Sequence, residues 1–290
     1  MKLCHLSRIF PIFILGPILL STCAQSPLPL DNSPNMQPPS EIISPVESTS
    51  LESVPTSDPE VPDVWDVSNV HTQAIDPQRK LIAFTFDDAP AKTMESIFAV
   101  FASYNETHPS CPAFATVFFN GKLFDSQTPH LLATACALGF ELGNHTHSHY
   151  DLTTLDKATL QAEIDNTDAL LQAADGKPRH LLRAPFGKVN ELVKTTATAP
   201  LIDWTIDTLD WTGVSEDEIF RTVYENKFSG AIVLMHDGYP HTIGALKRLL
   251  PALYEDGYQV VGVSQLAKMH HCTFKKGKVY IRARKQQSNF

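Results

Sequence analysis

The sequence predicts an α/β fold with parallel strands, on two observations. Short apolar runs alternate with amphipathic stretches over about 190 residues, the pattern of strand–helix units. The polar residues able to do chemistry fall directly after those runs, and a parallel barrel gathers the C-terminal ends of all its strands on one face. Residues 81–86 form the first strand, a continuous apolar run of the kind buried on both faces, ending at Asp87 and Asp88. Residues 115–119 form the second and 140–143 a short third. Later strands are expected at 180–183, 201–206, 231–235 and 258–263. Helical periodicity marks 157–174, through Leu160, Ile164, Leu170 and Leu171, and also 242–254. No internal repeat is evident.

Composition narrows the function classes. Hydrophobic residues make up 43% of the 290, and charged residues 19%, as in ordinary globular proteins. The net charge of −9 argues against general nucleic-acid binding, which needs a basic face to displace counterions. That charge is uneven. Residues 1–24 carry +2 and residues 25–66 carry −8, which leaves −3 for 67–290.

Residues 1–24 read as an export signal: Lys2 and Arg8 precede an apolar run over 9–20, and small residues follow. Two processing outcomes compete. Leu20-Ser21-Thr22-Cys23 resembles a bacterial lipobox, which would place a lipid on Cys23 as the only membrane attachment. Ordinary cleavage after Ala24 is the other. Either gives an exported protein, periplasmic or at the cell surface, as would an uncleaved anchor helix. Residues 25–66 are rich in proline, serine and acids, with no aromatic residue before Trp65. Such a stretch cannot bury enough apolar area to offset its ordering entropy, and a disordered tether is expected. The domain is expected to span 67–290 and to act as a monomer. Cys111, Cys136 and Cys272 remain beyond the signal; their spacing matches no zinc motif and permits one disulfide or none.

The chemistry concentrates in a few segments. In the stretch from His145 to His149, residues four apart share a side if it begins a helical turn. His145 and His149 could then reach one cation while His147 packs elsewhere. Two histidines plus a carboxylate make a facial set for Zn²⁺ or a similar ion. Asp87 and Asp88 point in different directions at a strand end, so one would ligate and the other act on water.

The ordered segments Thr85-Phe86-Asp87-Asp88, His145-Thr146-His147-Ser148-His149, Arg183-Ala184-Pro185-Phe186-Gly187, Asp207-Thr208-Leu209-Asp210-Trp211 and Leu234-Met235-His236 resemble the five motifs of the polysaccharide deacetylases, carbohydrate esterase family 4, also called the NodB homology domain. The resemblance runs from about residue 78 to 268, with Ala89 and Phe186 as mild departures. It implies a distorted (β/α) barrel. It also implies Asp88, His145 and His149 as metal ligands, usually for zinc, with Co²⁺ or another divalent ion as alternatives. Asp87 would be the general base and His236 the general acid. Arg183 would orient Asp87, Asp210 would orient His236, and the Phe186 N–H would hold an oxyanion. Trp211 would wall the sugar groove, Leu234 would shape the acetyl pocket, and Asp207 would support this shell. His270, His271 and the basic tail from Lys275 onward are expected outside the site, the tail as a solvated extension.

The expected activity is removal of N-acetyl groups from N-acetylglucosamine units of peptidoglycan or a chitin-type glycan. An O-acetyl esterase on xylan uses the same machinery, and a barrel that only binds carbohydrate is the alternative from another class.

Overall fold

A computed structural model describes residues 61–284. The expected export signal with Cys23, most of the expected tether and the last tail residues lie outside the described residues. In chain order the elements are β1 (Lys80–Ala89), α1 (Met94–Thr107), β2 (Thr116–Phe119), α2 (Thr128–Ala137), β3 (Glu141–Asn144) and α3 (Lys157–Asp175). There follow α4 (Glu191–Thr196), β4 (Leu201–Ile202), β5 (Ile206–Asp207), α5 (Glu216–Asn226) and β6 (Ile232–His236). The last are α6 (Pro240–Glu255), β7 (Tyr258–Val261), α7 (Val263–Met269) and β8 (Val279–Tyr280). No helix among the described residues is long and apolar enough to cross a membrane.

β1 organises the sheet because it can be buried on both faces. Ile82, Phe84 and Phe86 enter a core packed under α1, α5 and α6, while Leu81 and Ala83 enter a second core against α7. One edge pairs with β6 over Ala83 to Asp87. The other edge pairs with β7 over Lys80 to Ala83, then with β2 from Thr85 onward. β3 lies outside β2 and β5 outside β6, and all these ladders are parallel. This is the expected α/β architecture.

The closure of the ring explains its distortion. Leu182 makes single-residue bridges to Asn144 of β3 and Leu201 of β4. The single strand expected at 201–206 is two pieces, because β4 pairs with β8 while β5 pairs with β6. The chain changes partner between them. The strand expected at 180–183 is reduced to that Leu182 bridge, since the side chains of His180 and Arg183 on either side are drawn into buried polar networks.

Two boundaries differ from expectation. Val64 and Trp65, expected in the tether, belong to the domain: Val64 bridges to Lys275, and the Trp65 N–H donates to the Phe274 carbonyl at 2.9 Å. Trp65 packs on the core around Phe274 and supplies the apolar area that the rest of the tether lacks. The tail is likewise no solvated extension as far as Arg284. Phe274 is buried and stacks on Tyr280 at 4.2 Å, and β8 pairs with β4. Cys111, Cys136 and Cys272 are free thiols.

Candidate active site

The site begins with an irregularity in β1. Phe86 pairs with Val117 and Ala89 with Phe119, so β1 carries one extra residue across the Asp87–Asp88 step. Such a bulge re-aims side chains. Asp88 takes a φ of 62°, and the two adjacent carboxylates thereby serve one site instead of opposite faces of the sheet. Asp87 is buried and stands in register with His236 of β6.

Asp88 faces both histidines. Its Oδ1 lies 3.3 Å from His149 Nε2 and 3.6 Å from His145 Nε2. The ligand atoms of Asp88, His145 and His149 all fall within 4.8 Å of one another, close enough to hold one metal ion. The donor set fits a divalent cation. His145 Nδ1 is 2.8 Å from the Arg183 carbonyl and donates to it, which leaves the Nε2 lone pair toward the trio. Burial and the neighbouring His145 hold His149 below the usual imidazole range, in the neutral form that ligates.

The histidines converge, but not on a helical turn. Residues 145–149 form a loop in which Thr146 and His149 have φ values of 66° and 57°. Neighbouring segments hold it: Gly121 N–H donates to Thr146, Lys122 N–H to His147, and Ser148 N–H to Glu163 Oε2 at 2.6 Å. His147 packs toward Gly121, where an added Cβ would lie 2.6 Å from His147 Nδ1.

Arg183 is completely buried, yet its guanidinium is well supplied with acceptors. Nη1 donates to Asp87 Oδ1 at 2.8 Å and to Thr85 Oγ1 at 2.6 Å, and Nε donates to the Ile202 carbonyl at 2.9 Å. Its Cζ lies 4.2 Å from the centre of the Phe118 ring. Burial alone would raise the Asp87 pKa, but the Arg183 guanidinium beside it, with His236 across the ladder, holds it below the usual carboxylate range.

His236 is held through its other nitrogen. Nδ1 lies 2.7 Å from Asp210 Oδ1, which leaves Nε2 outside that bond. Asp210 is fully buried, and its Oδ2 accepts from the His236 N–H and from Thr242 Oγ1 at 2.7 Å. Burial opposes the charged form of His236, but Asp210 and the Asp87 charge outweigh it and raise its pKa.

At the rim, Phe186 has a φ of 61° and an exposed ring that meets His149 edge-on at 4.8 Å. Trp211 is exposed directly after Asp210. Leu234 is buried in β6, on the same strand face as His236 two residues later. Asp207 sits at the end of β5, where Oδ1 accepts the Leu209 N–H. His270 is remote from these groups, with Nδ1 2.7 Å from the Ala283 carbonyl.

Three supporting residues escaped the sequence reading. Asp237 accepts from the Ala91 N–H at 2.6 Å and from Thr93, tying the end of β6 to the loop after Asp88. Thr242 holds Asp210, as described above. Asn144 precedes His145 and is buried. The available signal was position, since each stands beside a motif residue.

This is a parallel α/β barrel with a candidate metal centre flanked by a buried carboxylate and a carboxylate-held histidine. The family model for polysaccharide deacetylase matches residues 74–200. A peptidoglycan-N-acetylglucosamine deacetylase of Bacillus cereus is 31% identical over 216 residues, 71% of this chain and 93% of that protein. A bifunctional xylanase/deacetylase of Pseudobutyrivibrio xylanivorans is 29% identical over 66% of this chain, and the match spans only 31% of that longer protein. The solved structure of the peptidoglycan deacetylase PdaC from Bacillus subtilis aligns with a TM-score of 0.62 at 29% identity, covering 68% of this chain and 94% of that one. The chain belongs to the polysaccharide deacetylase family, the carbohydrate esterases of family 4. That family uses a divalent metal, and Asp88, His145 and His149 are the residues here that could hold it.

Proposed function

We propose that the protein hydrolyses N-acetyl groups from N-acetylglucosamine units of a polysaccharide, with peptidoglycan ahead of chitin-type glycans. The observation that carries this reading is the pairing of Asp87 with His236 across the β1–β6 ladder, directly beside the Asp88–His145–His149 trio. A divalent ion on that trio, most readily Zn²⁺, supplies Lewis-acid polarisation of the acetyl carbonyl and a more acidic water. Asp87, kept ionised by Arg183, takes the proton from the attacking water. The backbone N–H of Phe186 donates to the developing oxyanion. His236, protonated and held by Asp210, delivers a proton to the leaving amine. Trp211 offers an apolar face for a sugar ring, and Leu234 lines the acetyl pocket.

The Bacillus cereus relative's name supports peptidoglycan as substrate, and the export signal supports action outside the cytoplasm. A xylan O-acetyl esterase is the second reading, supported by the likeness to the Pseudobutyrivibrio xylanase/deacetylase and to the Xyl-CE4 domain of a multidomain xylanase. Acetate release by the full chain with Zn²⁺, measured on peptidoglycan fragments, chitooligosaccharides and acetylated xylan, separates the readings. Release from the first two is expected to exceed release from xylan. Release from xylan alone would assign the esterase. No release from any substrate, with metal bound, would leave a carbohydrate-binding barrel.

A further inference from the structure

A second polar cluster lies behind the metal-binding loop and takes no direct part in the chemistry above. His180 is buried with both ring nitrogens on carboxylates: Nδ1 is 2.9 Å from Asp168 Oδ1 and Nε2 is 3.1 Å from Asp175 Oδ1. Carboxylates only accept, so both nitrogens donate and the ring is an imidazolium. Asp175 also pairs with Lys177 at 3.2 Å, toward solvent. Asp168 faces inward instead, and its Oδ1 accepts from Asn144 Nδ2 at 2.9 Å.

Asn144 is tied at every polar atom. Its second amide hydrogen goes to the Ile164 carbonyl at 2.9 Å, and its Oδ1 accepts the Thr146 N–H at 2.8 Å. Its backbone N–H donates to the Leu181 carbonyl, and its own carbonyl accepts from the Arg183 N–H at 2.9 Å. Thr146 is in a left-handed conformation that a β-branched residue adopts only where its surroundings over-determine it. The Asn144 side chain holds the Thr146 N–H, directly after His145, while Gly121 binds the Thr146 carbonyl.

We propose that His180, acting through Asp168 and Asn144, is a positioning residue for the metal-ligating loop. The inference rests on the reading of Asp88, His145 and His149 as metal ligands. His180 Nδ1 donates to the same Asp168 oxygen that accepts from Asn144, and so fixes where that oxygen sits. Asp168 orients the Asn144 amide, and Asn144 sets the turn that presents His145. Asp175 completes the charge balance on the solvent side and touches nothing in the loop.

Co²⁺ titration of the full chain, followed by its visible absorption and by competition with a chelator, tests this, with far-UV circular dichroism to establish folding. Asp168→Ala should weaken Co²⁺ binding by about 10–100-fold, the usual effect of losing a partner behind a ligand, and alter the absorption bands. Asp168→Asn, which keeps an acceptor oxygen for Asn144, should recover much of that loss. Asp175→Asn should lower Tm while leaving Co²⁺ affinity near wild type. If Asp168→Ala does not fold, His180→Gln carries the same expectation of weakened binding. Folded Asp168 and His180 variants with wild-type affinity and spectrum would overturn the proposal, leaving a structural cluster. A wild-type chain that binds neither Co²⁺ nor Zn²⁺ would overturn the ligand reading first, and the proposal with it.

Discussion

At the scale of single residues, His236 shows how burial and hydrogen bonding set a protonation state. Asp210 accepts from Nδ1 at 2.7 Å and is itself held by Thr242, so the proposed acid is aimed and kept charged together. A general acid whose pKa is raised stays active up to a higher pH, and activity falls as pH rises through that value. Asp87 is the opposite case. Its pKa is lowered, so as the proposed base it should fail only on strong acidification. In Asp210→Asn the alkaline limb of kcat/KM should move to lower pH, while the acid limb stays in place. A pH–rate profile checks this, and an unmoved alkaline limb would remove Asp210 from its role.

The side chains proposed to react stood out in the sequence because each closes an apolar run, where a purely structural carboxylate or imidazole is unnatural. Asn144 and Asp237 were not legible. An Asn or Asp beside a loop ordinarily satisfies its own turn, whereas these two bond to α3 and to the α1 entrance, segments whose proximity only the fold creates. His145 and His149 converge as expected, but by left-handed residues and cross-loop bonds instead of helical spacing. Spacing alone does not distinguish those routes.

At the scale of elements, β3 couples packing to the site through a residue without a side chain. Gly143 pairs with Phe118 of β2, and a Cβ at Gly143 would lie 2.5 Å from the Phe118 ring. Phe118 cannot yield easily, being buried with the Arg183 guanidinium on its face. Gly143→Ala should therefore destabilise by about 1–3 kcal/mol, as overpacked cores do. It should also reduce kcat by displacing Arg183 from Asp87. Thermal unfolding together with steady-state kinetics checks both effects; unchanged Tm and kcat would mean that the two strands relax freely.

The elements themselves were read unevenly. β1, β2, β6 and β7 announce themselves as continuous apolar runs because they are buried on both faces. β4 and β5 looked like one strand because residues 201–206 are largely apolar. The break comes from a change of pairing partner, which leaves no mark in composition. The bulge at Asp87 and Asp88 is equally silent in sequence, yet it lets neighbouring carboxylates share one site.

At the scale of the whole molecule, one barrel among the described residues brings the proposed reacting groups together. The negative charge belongs mainly to the segment before it. The tether proposal now applies to a shorter stretch, since Val64 and Trp65 join the barrel. If Cys23 carries a lipid, the protein partitions into detergent after phase separation, and Cys23→Ser moves it to the aqueous phase. Equal aqueous partition of both forms would instead assign cleavage after Ala24.

In the proposed reaction, Asp88, His145 and His149 hold a divalent ion while the adjacent Asp87 acts as base. The most direct test measures bound Zn²⁺ and acetate release on the same preparations of wild type and Asp87→Asn. Wild type should bind one ion and release acetate from N-acetylglucosamine oligomers, with loss on chelation and recovery on reloading. Asp87→Asn should retain the ion and lose nearly all turnover, on the order of the 10²–10⁴-fold that general-base catalysis contributes. An Asp87→Asn enzyme of near-normal rate would exclude Asp87 as the base, and a wild type equally active without any ion would exclude the metal.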